Sequence, residues 1–270
     1  MTAKNPDFPQ RIVCLTEETT ETLYLLEEDW RIVGISGFTV RPPRARREKP
    51  RVSAFLSAHT ERIVALAPDL VLAFSDLQAD IAAQLVRAGL DVHVFNQRSV
   101  AQILRMIRTV GGLIGCPDKA QQLVARLEAG LSEVAARAAR LPRRPRVYFE
   151  EWDEPMISGI RWVSELVQLA GGEDCFPELA RESLGKNRII ADPLEVVRRA
   201  PDIVLGSWCG KKFRPERVAA RAGWAAVPAV RDNCLREIKS ALILQPGPAA
   251  LTDGVRAIQG VIEEWAAAHP

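Results

Sequence analysis

The feature that most constrains the fold of this 270-residue chain is a repeated segment. Residues 62–72 read RIVALAPDLVL and residues 195–205 read EVVRRAPDIVL, with Ala-Pro-Asp in register. In both copies this tripeptide separates a helical pattern from a short β-branched run, which is typical of a buried parallel strand. A second pair of such runs begins at Arg11 and Arg146, with almost the same spacing. Similar residue types occur at many helix–turn–strand junctions. The order of helices and strands nevertheless matches between the two halves, which favours a duplicated architecture.

Alternating strand and helix patterns indicate the fold class. In the first half, short apolar runs at residues 11–15, 32–36, 69–74 and 91–95 alternate with helical segments such as residues 77–88. Such alternation predicts βαβ units and a parallel sheet. A strand at residues 146–149 restarts the same pattern in the second half.

A long helical pattern separates the two halves. Residues 118–141 carry an apolar stripe at Leu123, Leu127, Leu131 and Val134. We therefore predict an α/β chain with two Rossmann-like lobes on parallel sheets, joined by one long rigid helix. The expected boundaries are residues 1–115, 116–142 and 143–270. Ligands of such sheets bind outside the carboxyl ends of the strands, so a ligand cleft is expected between the lobes.

Composition excludes several classes of protein. The chain is 47% hydrophobic and 26% charged with a net charge of +2, which gives no reason to expect nucleic acid. Basic runs at residues 41–51 and 137–146 lack interleaved aromatics and are interpreted as solvated loops. Five scattered cysteines without CxxC spacing argue against a disulfide framework or a structural zinc site.

No apolar run approaches the roughly 20 residues that span a bilayer, so no transmembrane segment is expected. The amino terminus lacks the apolar core of a secretory signal. We accordingly expect a cytoplasmic protein, or a periplasmic one if a leader has been removed.

Several short motifs follow one another in an order and spacing that are fairly specific together. They are RIVCL at 11–15, Thr20-Glu21, VGIS at 33–36, Pro42-Pro43, Val52-Ser53, residues 61–71, Ser158-Gly159 and PDIV at 201–204. On these residues the chain resembles the helical-backbone substrate-binding proteins of ABC importers, which carry cobalamin, haem and ferric siderophores. It is most similar to their cobalamin-binding branch. The resemblance implies reversible capture of a small molecule without chemistry, so we expect a protein that is not an enzyme.

The resemblance also implies a set of ligand contacts. Large apolar side chains line the cleft and cover the flat faces of a corrin ring, because such faces bury area without requiring hydrogen bonds. The corresponding positions are Phe38, Phe55, Phe74 and Met156, and Trp152, Trp162 and Trp208 near strand ends extend the set. Core packing is the alternative interpretation of each.

Metal ligation is a further hypothesis for two residue types. His59, just before a helix start, could be an axial ligand of cobalt or iron, because neutral imidazole is a common metal ligand. A helix-capping or surface histidine is the favoured alternative. The thiols of Cys14 and Cys209, at strand ends, would suit a soft metal only as thiolates; small buried cysteines are the common alternative. His93, inside a strand, is interpreted as a core residue.

Docking carboxylates are the last feature that the resemblance implies. In such importers, surface carboxylates contact arginines of an ABC permease, and the matching positions are Glu61 and, one place out of register, Glu195. Glu61 also fits an acid favoured at a helix N-terminus. A cytoplasmic recipient protein is the alternative partner.

Three alternatives to a cobalamin-type ligand stay open. Haem would need His59, because the chain has only two tyrosines, Tyr24 and Tyr148. A ferric siderophore would need cleft cations, which Arg41, Lys211, Lys212 and Arg236 could supply. A chelatase-like enzyme that modifies a tetrapyrrole would need a general base from the acidic run at residues 150–154. No phosphate loop, GxSxG elbow or HExxH motif supports an enzyme.

Overall fold

Two compact α/β units make up the computed structural model, which describes residues 6–269. The first comprises the chain up to Gln97 together with Ala101–Arg126, and the second comprises Arg98–Val100 and the chain from Leu127 onward. Each unit is built on a sheet dominated by parallel strands, which confirms the predicted fold class.

Five parallel strands form the sheet of the first unit. They are β1 (Ile12–Cys14), β2 (Ile32–Ser36), β3 (Arg51–Ser53), β4 (Leu70–Phe74) and β5 (Val92–Phe95). Their order across the sheet is β3-β2-β1-β4-β5, and the central strand β1 is fully buried. Six helices lie in this part of the chain: α1 (Glu17–Leu25), α2 (Ala45–Glu48), α3 (Thr60–Ala65), α4 (Ala79–Arg87), α5 (Val100–Leu113) and α6 (Pro117–Ala138).

The second unit repeats this plan with one departure. Its strands are β6 (Arg146–Asp153), β7 (Met156–Ser158), β8 (Glu173–Asp174), β9 (Ile203–Gly206) and β10 (Leu235–Glu237). Their order is β10-β9-β6-β7, and β8 also pairs with β6. The helices are α7 (Arg161–Leu169), α8 (Leu194–Arg199), α9 (Pro215–Ala219), α10 (Pro228–Arg231), α11 (Ser240–Ile243) and α12 (Val255–Ala268).

Strand β7 corrects the expectation of purely parallel sheets. It runs antiparallel to β6, with Met156 opposite Asp153. Only two residues connect the two strands, and a connection this short allows a hairpin but not the long crossover that parallel neighbours need. The duplication is nevertheless clear in the pairing: β4 lies between β1 and β5, as β9 lies between β6 and β10.

The repeated Ala-Pro-Asp motif has the same structural role in both units. The Asp69 carboxylate accepts a hydrogen bond from the Arg11 backbone N–H at 2.8 Å, and the Asp202 carboxylate accepts one from the Arg146 N–H at 2.8 Å. Each aspartate N–H donates in return to the carbonyl of the same arginine, at 2.9 and 2.8 Å. The alanine of each copy adopts left-handed φ angles of 44° and 43°. The motif thus joins the start of one strand to the start of its neighbour.

The long helix α6 is confirmed; it begins one residue before the predicted segment 118–141 and ends three residues before its end. Its apolar stripe, Leu123, Leu127, Leu131 and Val134, is buried throughout. The chain passes from the first unit to the second within this helix, between Arg126 and Leu127. Within residues 6–269, no helix combines the length and apolar character needed to cross a membrane.

Several local predictions were wrong. The basic run at 41–51 is not a loop throughout, because it contains α2 and its last residue, Arg51, begins the edge strand β3. The run at 137–146 is a loop only between the end of α6 and the start of β6. His93 is half-buried rather than a core residue. Edge position and burial of single side chains depend on the sheet order, which local charge does not reveal.

The paired aspartates are expected to stabilise both units. Asp202→Ala removes the acceptor of the Arg146 N–H and should lower the free energy of unfolding by about 1–2 kcal/mol. Urea denaturation of the wild type, Asp202→Ala and the exposed-site control Asp91→Ala measures the effect. Equal midpoints for all three proteins would contradict this role for Asp202.

Candidate functional site

The carboxyl edge of the first sheet carries an exposed apolar rim. Phe38 follows β2, Phe55 and Leu56 follow β3, and Phe74 ends β4. Because these strands are parallel, their ends meet at one edge. Phe38 is 58% exposed and Leu56 is 68% exposed, whereas Phe55 is half-buried and Phe74 is buried. Phe38 therefore has the free surface that a ligand contact needs, and Phe74 packs in the core.

A buried amide holds two of these phenylalanines in place. The Gln78 side chain accepts a hydrogen bond from the Phe74 N–H at 2.9 Å and donates one to the Phe55 carbonyl at 2.9 Å. Gln78 is fully buried. It ties the loop after β3 to the end of β4, so the rim is preorganised rather than free to move. Sequence reasoning missed Gln78, because its role depends on two loops that are distant in the chain.

His59 occupies the N-cap position of α3 and is exposed. Its side chain makes no capping hydrogen bond, while its backbone N–H donates to the Val52 carbonyl at 3.0 Å. Glu61 lies exposed in the first turn of the same helix. His59 therefore lies on the surface at the start of a helix, and its role in metal ligation stays a prediction.

Two carboxyl groups are buried directly after β1. Glu17 and Glu18 lie in the first turn of α1, and Glu18 is only 1% exposed. The Thr16 hydroxyl donates to Glu18 Oε1 at 2.7 Å. Burial raises the pKa of Glu17, and burial together with the neighbouring Glu17 raises the pKa of Glu18 to about 8. This pair was not predicted, because acids in a first helical turn ordinarily face solvent.

The buried thiol of Cys14, in contrast, is not readily ionised. Burial raises the pKa of its thiol to about 12, so it stays protonated. The thiolate interpretation of Cys14 is therefore wrong. Cys209 is exposed, in the loop after β9.

The second unit is organised around one buried carboxylate. Glu150, on β6, is fully buried and forms a two-pronged ion pair with Arg221, at 2.6 and 2.9 Å. The Tyr148 hydroxyl donates to it at 2.9 Å and the Trp208 indole N–H at 3.0 Å. A buried charge is stable only when it is paired and hydrogen-bonded in this way. Trp208 is therefore held in a fixed position after β9.

The rest of the acidic run is paired as well. Glu151 forms a two-pronged ion pair with the buried Arg188, at 2.7 and 2.9 Å. Asp153 contacts Lys211 and lies 3.8 Å from Arg217. Although burial opposes it, the Lys211 hydrogen bond lowers the pKa of Asp153 below its ordinary value. Carboxylates held by cations in this way are poor general bases, which removes the main support for the enzyme alternative.

The remaining residues of the predicted contact set differ in accessibility. Met156 and Trp162 are buried, and the Trp162 indole N–H donates to the Ile243 carbonyl at 2.8 Å. Trp152 is half-buried, and the Lys211 ammonium lies 4.2 Å from its ring centroid. Glu195 is engaged by its own helix, in ion pairs with Arg198 and Arg199 at 2.7 and 2.8 Å.

An open depression of about 500 Å³ lies at the carboxyl ends of β9 and β10. It is lined by Trp208, Gly210, Lys211, Lys212, Glu237, Ile238, Lys239, Ser240 and Ala241. Three lysines against one glutamate make this lining positive. In the part of the chain that the structure describes, no three His, Cys, Asp or Glu side chains converge as metal ligands.

The chain is similar in sequence and in structure to known binding proteins. The family described as periplasmic binding protein matches residues 12–242. The ABC transporter substrate-binding lipoprotein YvrC of Bacillus subtilis is 24% identical, over 97% of this chain and 81% of that protein. The vitamin B12-binding protein of Vibrio parahaemolyticus is 24% identical, over 90% and 86%. The periplasmic heme-binding protein RhuT from Roseiflexus superposes with a TM-score of 0.78 at 23% identity, over 94% and 99%.

The raised pKa of Glu18 predicts a stability that depends on pH. Between the ordinary pKa of 4.5 and about 8, the folded state binds more protons than the unfolded state. Stability should therefore fall as the pH rises through that window. Glu18→Gln removes this loss, so relative to the wild type it should gain stability on the order of a few kcal/mol across the window.

Thermal denaturation of the wild type and Glu18→Gln across this pH range tests the expectation. Glu133→Gln, at an exposed position of α6, is the matched control and should follow the wild type. Melting curves of Glu18→Gln that run parallel to those of the wild type at every pH would show that the Glu18 carboxyl is not desolvated.

Proposed function

The chain belongs to the periplasmic binding protein family, the non-enzymatic substrate-binding proteins of ABC transporters, and we propose that its ligand is a cobalamin-type corrinoid. A small-molecule ligand and a permease partner follow from the family. The choice of a corrinoid rests on the surface that the first unit presents at the carboxyl edge of its sheet.

The single observation that carries the proposal is the exposed rim of the first unit. Phe38 and Leu56 present apolar surface at the edge where ligands of parallel sheets bind. Phe55 lies beside them on a backbone fixed by Gln78. A corrin ring offers a broad flat face that such side chains can cover without hydrogen bonds.

The tyrosines favour a corrinoid over haem. Both hydroxyls donate to carboxylates, Tyr24 to Glu48 at 2.8 Å and Tyr148 to Glu150 at 2.9 Å. Burial and the adjacent carboxylates raise the pKa of both phenols. A phenolate ligand for haem iron is therefore disfavoured at either tyrosine, and His59 is left as the only candidate among those weighed.

The buried acids also favour a corrinoid over haem. Glu17 and Glu18 follow β1 at the edge that carries the rim. Carboxylates of a haem placed at this edge would be disfavoured by the nearby acidic groups, whereas the side-chain amides of a corrinoid are neutral.

Glu61 is the proposed permease contact. It is exposed at the start of α3, as docking to an arginine requires. Its counterpart Glu195 already pairs with Arg198 and Arg199, so its contribution to docking should be smaller. A cytoplasmic recipient protein remains the alternative partner.

The rim gives a direct test of the ligand. Hydroxocobalamin should bind the wild type one to one, and Phe38→Ala should weaken binding by about 1–3 kcal/mol, the usual loss for a buried aromatic contact. Val86→Ala, at an apolar site on α4 that is also 58% exposed, should bind as the wild type does. Calorimetry measures all three. Tight binding of haem without binding of any corrinoid would refute the proposal.

The His59→Ala variant tests whether the protein ligates the metal of the bound corrinoid. We expect aromatic packing alone, so the visible spectrum of the bound corrinoid should be the same for the wild type and His59→Ala. Affinity should then show no His59-dependent change between about pH 5 and 7, where an ordinary imidazole titrates. A spectrum that shifts in His59→Ala, together with weaker wild-type binding at low pH, would instead identify His59 as an axial ligand.

A further inference from the structure

Two buried polar atoms at the carboxyl edge of the first sheet have no partner within the described chain. Glu18, in the first turn of α1, is only 1% exposed. The Thr16 hydroxyl donates to its Oε1 at 2.7 Å and the Gln97 amide acts on the same carboxyl, but Oε2 has no hydrogen-bond partner within residues 6–269. The hydroxyl of Thr39, fully buried in the loop after β2, has none there either. Buried polar groups are nearly always hydrogen-bonded, so both atoms point to a group from outside the chain.

The two carboxyls of this turn are buried without a counter-ion among the described residues. No lysine or arginine in that part of the chain forms an ion pair with Glu17 or Glu18, and burial raises the pKa of both carboxyls. Glu21, the next acid on this helix, differs, because Arg41 binds it at 2.8 Å. An ionised ligand carboxylate buried beside Glu17 and Glu18 would therefore lack a cation to pair with, which is costly.

The acids lie on the helix to which the apolar rim is attached. Arg41 follows Phe38 by three residues, and its ion pair with Glu21 joins the loop that carries Phe38 to α1. Glu21 lies one helical turn beyond Glu17 and Glu18, so the three acids share one face of α1. A ligand that covers Phe38 would therefore bring groups of its periphery to this face.

A primary carboxamide is the group that this arrangement fits. With a pKa raised to about 8, the Glu18 carboxyl is protonated at neutral pH, so it carries one O–H donor and keeps acceptor capacity. A primary amide carries two N–H donors and a carbonyl acceptor. Placed face to face, the two groups exchange two hydrogen bonds, one in each direction. A carboxylate has acceptors only and returns no bond to the acid.

We propose that Glu17 and Glu18 form a carboxamide-recognition site in the first unit, which pairs with a primary amide on the periphery of the ligand and rejects an ionised carboxylate at the same place. This inference rests on the proposed function for the identity of the ligand, because the side chains of a corrinoid end in primary amides. The site would let the protein distinguish an amidated corrinoid from the corresponding carboxylate.

Cobinamide and cobyrinic acid, which carries carboxylic acids in place of the amides, are the probes of choice. At pH 7 the wild type should bind cobinamide roughly tenfold or more tightly than cobyrinic acid, the scale of one buried hydrogen bond. Glu17→Gln combined with Glu18→Gln should reduce this ratio by binding cobyrinic acid more tightly than the wild type does, because glutamine N–H groups can donate to a carboxylate. A gain of binding cannot arise from a damaged fold. Calorimetry measures both ligands.

The control is Glu27→Gln combined with Asp91→Asn, which removes two exposed acids of the same unit and changes the formal net charge equally. This variant should keep the wild-type ratio. A ratio that is unchanged in the double variant of Glu17 and Glu18, or that falls by the same factor in the control, would overturn the site.

Mesohaem and its diamide, in which both propionates are amidated, test the site without a corrinoid. The wild type should bind the diamide more tightly than mesohaem, and the double variant of Glu17 and Glu18 should reduce this preference. A wild type that binds no corrinoid but shows this preference would refute the corrinoid and support the site. A wild type that binds cobinamide and cobyrinic acid equally would support the corrinoid and overturn the site. One that binds none of the four probes would overturn both.

Discussion

The structure of both units depends on the alignment of their central strands. In each unit an aspartate carboxylate accepts the N–H at the start of the central strand, and its own N–H returns a bond to the same residue. These bonds fix the register of β4 against β1 and of β9 against β6. Because the strands are parallel, their carboxyl ends all lie at one edge of the sheet, and it is there that the candidate ligand surfaces lie. The repeated motif is therefore structural, although its effect is to place the candidate site.

The carboxyl edges of the two sheets carry different chemical groups, although the strands of both sheets are aligned in the same way. The first unit presents an exposed apolar rim and, after β1, two buried acids whose pKa values are raised chiefly by burial. In the second unit, the acids of β6 are paired with cations, and three lysines line an open depression. Duplicated frameworks can diverge in this way because loops after strands tolerate changes that the core does not.

The sequence named some residues of the candidate site and missed others. The family resemblance implied Phe38 and Phe55 as ligand contacts, and the structure places both in loops at the carboxyl edge of the first sheet. Phe74 and Trp162, for which core packing was the alternative interpretation, are buried. The roles of Gln78 and Glu150 could not be predicted, because each joins segments that are far apart in the chain. The raised pKa values of the Glu18 carboxyl and the Cys14 thiol could not be predicted either, because a pKa shift depends on burial rather than on residue type.

The sequence by itself determined the alternation of strands and helices, the duplication and the long helix α6, since hydrophobic periodicity and turn residues are local signals. It also carried the family resemblance, which depends on motif order alone. Only the tertiary structure decided that β7 runs antiparallel, that Arg51–Ser53 is an edge strand and that Glu17 and Glu18 are desolvated. Only the tertiary structure, likewise, gathered Lys211, Lys212 and Lys239 around one depression. The physical reason is common to all of these: strand pairing, burial and charge pairing are set by neighbours in space, and those neighbours are brought together by the order of strands in the sheet.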